Sequence, residues 1–204
     1  MADSFRLIHL RDELTRFLRI YLKDPVGTLR SPLYLSWPSI LSLLAASAML
    51  SGAVVGLLNH SFLDFATGLL LFPVTCVVIT AVFTFFIYYY FSFFHSTFLE
   101  FRRLYSVVVL AVIPYFVFHS VSGYLSAIDL VGFAIAALLL IVGLVEQFSL
   151  DRRTCVRLVG ALGLGFFIMW SVSQYRMVKR EEAERSAQPR SLDELQREVK
   201  SEIK

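Results

Sequence analysis

Few side chains in this chain are placed to do chemistry. His119, Asp129 and Glu146 border long uncharged runs, and ionisable groups at membrane depth are the default place to look for transport or catalysis. Asp129 is expected at the outer end of a fourth apolar segment, where it reaches water or caps a helix. Glu146 is expected at the opposite end of that segment. There it has Gln147 beside it and Arg152, Arg153 and Arg157 as prospective ion-pair partners. His119 closes the third segment and can approach Asp129 across a short loop. The pair forms a possible polar site, whereas the plainer reading makes all three residues helix-end groups. His60 and His95 lie near helix ends. Cys76 reads as a packed apolar-run cysteine and Cys155 as a residue of a charged loop, with no ligand spacing to any histidine. No metal or cofactor is expected. The chain has no HExxH, GxSxG or Walker glycine loop, and no charge near the middle of any apolar run. Catalysis has no constellation to stand on.

The elements that carry these residues follow from the charge distribution. Of 204 residues 57% are apolar and 17% charged, and the mean hydropathy is +0.68. Residues 31–63, 65–99, 104–128, 130–145 and 158–175 contain no Asp, Glu, Lys or Arg. A helix needs about 20 mainly apolar residues to cross a bilayer core. The runs supply roughly that length five times, more than a soluble domain of this size can bury. The reading is an all-α, polytopic membrane helical bundle with five transmembrane helices and an N-terminal amphipathic helix. A water-soluble enzyme, a secreted disulfide scaffold and a DNA-binding domain are excluded, and a net charge of +3 implies no nucleic-acid partner.

Three parts are expected: a cytoplasmic amphipathic segment at 1–30, the bundle at 31–175 and a charged tail at 176–204. In the first, Leu7, Leu10, Leu14, Phe17, Leu18, Tyr21 and Leu22 recur at helical spacing over 4–23. Arg6, Arg11, Arg16, Arg19 and Lys23 suit a helix lying over anionic headgroups. Packing beneath the cytoplasmic ends of the bundle, or docking to a partner, would use the same face. Asp24-Pro25 stops this helix.

The expected spans are 39–58, 67–91, 104–121, 127–146 and 158–175. Ala48, Gly52 and Gly56 form a small-residue ridge in the first, suited to close packing within the chain or to dimerisation. Pro73 and Pro114 interrupt the second and third, and Thr75 offers a hydroxyl near the first of these breaks. Lys plus Arg number six before the first span, none in 59–66, two in 92–103, none in 122–128 and three in 146–157. That alternation places the N-terminus in the cytoplasm. Arg176, Lys179 and Arg180 then pull the far flank of the fifth span the same way. Gly160, Gly163 and Gly165 also weaken that span as a helix. Five full spans, a re-entrant or partner-held fifth segment, and a miscounted span elsewhere all stay open. In the tail, Ser191 and Glu194 form a capping box. Leu192, Leu195 and Val199 then make a thin stripe that either docks a partner or belongs to a fraying end.

LKDP (22–25), LYSVVVLAVIPYFV (104–117) and LLLIVGLVEQFSLDRRTCVRLV (138–159) together give a layout that resembles the Yip1-domain family of small integral membrane proteins over about 20–175. Ala111 and Cys155 stand where the family has tyrosine and alanine. The resemblance implies that Pro114 is the helix-breaking proline, Gly143 a close-packing glycine and Asp151 to Arg157 a cytoplasmic turn. It implies a bacterial-type member in the cytoplasmic (inner) membrane. Eukaryotic members are associated with vesicle trafficking, small GTPase partners and membrane shaping.

The expected function is that of a non-enzymatic scaffold or accessory subunit that binds another integral membrane protein, or a second copy, or organises membrane lipids. The alternative is a small-molecule or lipid permease with Pro73 and Pro114 breaking helices around a path. A third reading, a membrane-embedded enzyme, needs His119 and Asp129 to converge.

Overall fold

The computed structural model describes residues 15–31, 35–58, 62–122 and 127–187, and the regular structure among them is helical throughout. Helical residues 15–23 (α1) precede α2 (Pro25–Arg30), α3 (Trp37–Leu58), α4 (Phe62–His95), α5 (Phe101–His119), α6 (Ile128–Phe148) and α7 (Arg152–Ala187). The helices α3 to α6, with Arg152–Ser173 of α7, are long and apolar enough to cross a membrane. The protein is an all-α, multi-pass membrane bundle. The chain divides into two compact units, residues 1–163 and 164–204.

In the first unit α5 is the axis. Eight consecutive residues, Leu104 to Ala111, are each at most 2% exposed. A helix covered on one side buries every third or fourth residue, so an unbroken run of eight means cover all round. The helices α3, α4 and α6 supply it.

The small-residue ridge of α3 is used against α4. Ala48, Gly52 and Gly56 are all buried. A Cβ on Gly52 would run into the Gly68 carbonyl, one on Gly68 into the Gly52 carbonyl, and one on Gly56 into the Phe65 backbone. The two backbones therefore meet with no side chain between them. Gly68 was not among the residues expected here. Gly143 of α6 faces the Val107 side chain, with Leu29 Cδ2 3.5 Å from where its Cβ would stand.

Asp24-Pro25 does more than stop the first helix. Pro25 takes the first position of α2, and the Asp24 carboxylate accepts from Gly27 N at 2.8 Å. An aspartate cap followed by proline starts a helix well, so the chain halts and restarts within two residues. Arg16, Arg19 and Lys23 lie exposed on α1, while Tyr21 is buried. Leu22, counted above in the apolar face, is 66% exposed and belongs to the other side. Arg6, Arg11, Leu7, Leu10 and Leu14 lie outside the described residues, as do His60, Leu192, Leu195 and Val199.

Two of the long helices run past their expected bounds. Continuous helix runs from Arg152 through Gly160, Gly163 and Gly165 to Ala187, because an apolar surrounding forces backbone groups to pair within the segment whatever the local propensity. α4 has 34 residues, about 51 Å against a hydrocarbon core of about 30 Å. Phe101, at the start of α5, packs on Phe85 with ring centroids 4.6 Å apart. The last turns of α4 therefore project beyond the start of α5. In the second unit, Phe167 and Trp170 stack at 6.3 Å, and Leu164, Ile168 and Met169 are exposed.

Candidate functional site

The bundle has a polar constellation at each end. At the end where α5 starts and α6 finishes, Gln147 is 6% exposed and makes three hydrogen bonds. Its Nε2 donates to the carbonyls of Leu29 at 2.5 Å and Ser31 at 2.6 Å, and its Oε1 accepts from Arg103 Nε at 2.8 Å. The first two acceptors are the orphan carbonyls that close α2. The Arg103 guanidinium lies 5.5 Å from the centre of the Phe148 ring. Gln147 thus ties α2 to α6 and α5. In the sequence nothing marks Gln147 beyond its place beside Glu146.

Glu146 pairs with Arg30 at 3.4 Å, not with Arg152, Arg153 or Arg157 as expected. α2 returns to the end of α6 and brings Arg30 with it. Both partners are half-exposed, so the pair adds little stability. Asp151 instead caps α7, accepting from Thr154 N at 2.9 Å and Thr154 Oγ1 at 3.0 Å. These bonds, with Arg153 nearby, hold its carboxyl below the usual range. Cys155 is fully buried in the first turn of α7, not in a loop.

Tyr21 reaches deep into this unit. Its hydroxyl donates to the Leu110 carbonyl at 2.7 Å, and both residues are buried. Leu110 is four residues before Pro114, and a proline cannot donate to the carbonyl at i−4. Tyr21 therefore satisfies the acceptor that Pro114 strands in the middle of α5. Burial pushes its phenol well up from its ordinary value. Pro73 is handled differently. The Thr75 hydroxyl bonds the Leu71 carbonyl at 2.9 Å, not the Leu69 carbonyl that Pro73 vacates. Helix continues through both prolines.

At the opposite end, α5 finishes where α6 begins, and His119 meets Asp129. His119 Nδ1 lies 3.2 Å from Oδ1 and 3.4 Å from Oδ2, with both side chains about a fifth exposed. Nδ1 is therefore the ring nitrogen that faces the Asp129 carboxylate. The ring is held on both faces: Phe72 stacks at 5.2 Å and 21°, Tyr115 at 5.5 Å and 12°. Gly132 gives α6 its close approach here, since a Cβ would strike Phe118. Beside the pair lies an open cleft of about 360 Å³, floored by Gly52, Gly56 and Gly68 and lined by Asp64, Thr67, Thr75, Phe72 and His119. The structure thus brings His119 and Asp129 together, with Glu146 at the far end of α6. Phe72 and Gly68 complete the site and carry no motif that would have marked them. Among the described residues no group of three or more His, Cys, Asp or Glu is arranged to hold a metal.

No family model, curated protein or solved structure matches the chain. Fold and composition place it in the broad class of multi-span membrane proteins.

Proposed function

We propose that this protein is a non-enzymatic membrane scaffold or accessory subunit that binds another integral membrane protein. The observation that carries the reading is the closed axis of the first unit. α5 is enclosed from Leu104 to Ala111, so the centre of the bundle is filled with side chains of the kind that hold helices together. A permease keeps its broken helices around a path at the midplane, whereas here the stranded carbonyl before Pro114 is taken by Tyr21. α7 supports the same reading. Gly160 is exposed, and a Cβ there would meet nothing within 4 Å. Small residues left open on a spanning helix suit close approach by another helix.

The finer assignment, a bacterial-type Yip1-domain member in the inner membrane with a cytoplasmic N-terminus, belongs to the same proposal. Its supports are the resemblance at 22–25, 104–117 and 138–159, and the collection of basic residues. Arg30, Arg102, Arg103, Arg152, Arg153 and Arg157 belong to the end of α2 and the beginnings of α5 and α7, the pattern of a cytoplasmic face.

The test is purification from native membranes in a mild detergent, followed by reconstitution of any stoichiometric membrane partner from purified components. The expected result is a defined complex that Gly160→Leu weakens while the melting temperature holds. Substrate-dependent flux by the protein alone in liposomes, abolished by Pro114→Leu, would overturn the reading in favour of a permease.

A further inference from the structure

We propose that Arg103 anchors the phosphate of an anionic phospholipid at the end of the bundle where α5 starts and α6 finishes. Its guanidinium is held in place by groups that carry no charge. Nε donates to Gln147 Oε1 at 2.8 Å, and the centre of the Phe148 ring lies 5.5 Å away. Gln147 is fixed in turn by the Leu29 and Ser31 carbonyls. A partly buried cation held only by neutral partners keeps its charge and has lost part of its hydration. The acids of this end are engaged elsewhere. Glu146 pairs with Arg30 and Glu100 with Arg102, each at 3.4 Å. Asp24 caps α2 and Asp151 caps α7. The N–H groups on the two Nη atoms of Arg103 thus find no acceptor among the described residues. A phosphodiester presents two oxygens that such a fork grips side by side.

Height selects a lipid over a soluble anion. Arg103 is in the first turn of α5 and Phe148 closes α6, where apolar spans give way to headgroups. Trp37, the first residue of α3, packs on Phe101 and Tyr105 with ring centroids 6.1 and 5.6 Å apart. An exposed tryptophan at the end of a span marks the headgroup belt, and Phe101 and Tyr105 bracket Arg103 along α5. Charge then selects the headgroup. Residues 15–31, 100–103 and 146–157 hold nine Arg and Lys against four Asp and Glu. Phosphatidylethanolamine and phosphatidylcholine carry a cation beside the phosphate, which this surplus repels. Phosphatidylglycerol carries the phosphate alone.

The experiment is native mass spectrometry of the full chain released from nanodiscs holding equal parts of phosphatidylglycerol, phosphatidylethanolamine and phosphatidylcholine. The wild type should retain one phosphatidylglycerol in preference to the other two. Arg103→Gln should reduce that preference about tenfold, the scale of one hydrogen bond to a charged group, with the melting temperature held. Arg102→Gln removes the same charge one residue away, from a side chain paired with Glu100, and should leave the preference largely unchanged. Arg103→Lys decides the matter if Arg103→Gln fails to fold. It keeps the charge without the planar fork and should lower the preference several-fold. A preference that falls equally in Arg102→Gln, or that survives every folded Arg103 variant, would overturn the proposal, as would equal retention of phosphatidylcholine. Displacement of the lipid by millimolar inorganic phosphate would also overturn it, since the site would then be one for a soluble anion.

Discussion

At the scale of single residues, the hydrogen bond from Tyr21 to Leu110 makes the sharpest forecast. Tyr21→Phe removes one donor from a buried carbonyl and should cost about 1–3 kcal/mol. Pro114→Ala restores the backbone N–H that Leu110 lacks, so in that background the Tyr21→Phe penalty should largely disappear. A double-mutant cycle on thermal or denaturant unfolding in detergent reads this coupling directly, and additive penalties would show that Tyr21 and Pro114 are independent. Asp151 gives a pH effect. Its carboxyl is held low in the folded chain by the Thr154 bonds. Its contribution is therefore full above the ordinary carboxylate range and lost as pH falls through the folded value, below about pH 4. Melting curves of wild type and Asp151→Ala should converge on acidification through that window. His119 and Asp129 were legible from the sequence because a short loop had to bring two helix ends together. The reach of Tyr21, and that of the Gln147 Nε2, were not, because those partners are backbone carbonyls more than eighty residues away, and a carbonyl has no residue type to read.

At the scale of elements, spacing located all five long helices, since uncharged length is a direct signature of a span. Most of their ends moved by a few residues because capping groups and chain reversals set the boundaries, while α7 runs on to Ala187 against an expected end at 175. Ser96 and Ser149, just past α4 and α6, both have positive φ, at 49° and 52°. That conformation favours glycine after a helix. Ser149→Gly should therefore raise stability by about 0.5–1 kcal/mol, measured as an upward shift in melting temperature. The glycines divide by contact in the same way. Gly52→Leu, or Gly68→Leu, should separate α3 from α4 and cost about 1–3 kcal/mol or more. Gly160→Leu should leave the isolated protein unaffected, since nothing stands near its Cβ direction. Equal melting temperatures for all three variants would remove the backbone contact between α3 and α4 from this account. The ridge was visible as a spacing of four, but its partner Gly68 was not, because one glycine in an apolar run has no periodicity.

At the scale of the whole molecule, the charge distribution gave the class and the enclosed α5 gives the architecture. What composition could not supply was the path of the N-terminal segment. An amphipathic face with basic flanks fits a membrane surface and a bundle surface equally, and only α2, restarted at Pro25, carries Leu29 in against Gly143. That route has a consequence for how the protein is made. Tyr21 leaves the ribosome 89 residues ahead of Leu110, and the Leu29 and Ser31 carbonyls precede Gln147 by 118 and 116. The segment that holds Tyr21, Leu29 and Ser31 is thus made before its partners and seated after them, held back until α3, α4 and half of α5 have been threaded, and locked only when α6 is finished. A chain arrested after α4 carries Tyr21 with no Leu110 carbonyl to meet, so the seating of this segment reports that α5 has been completed.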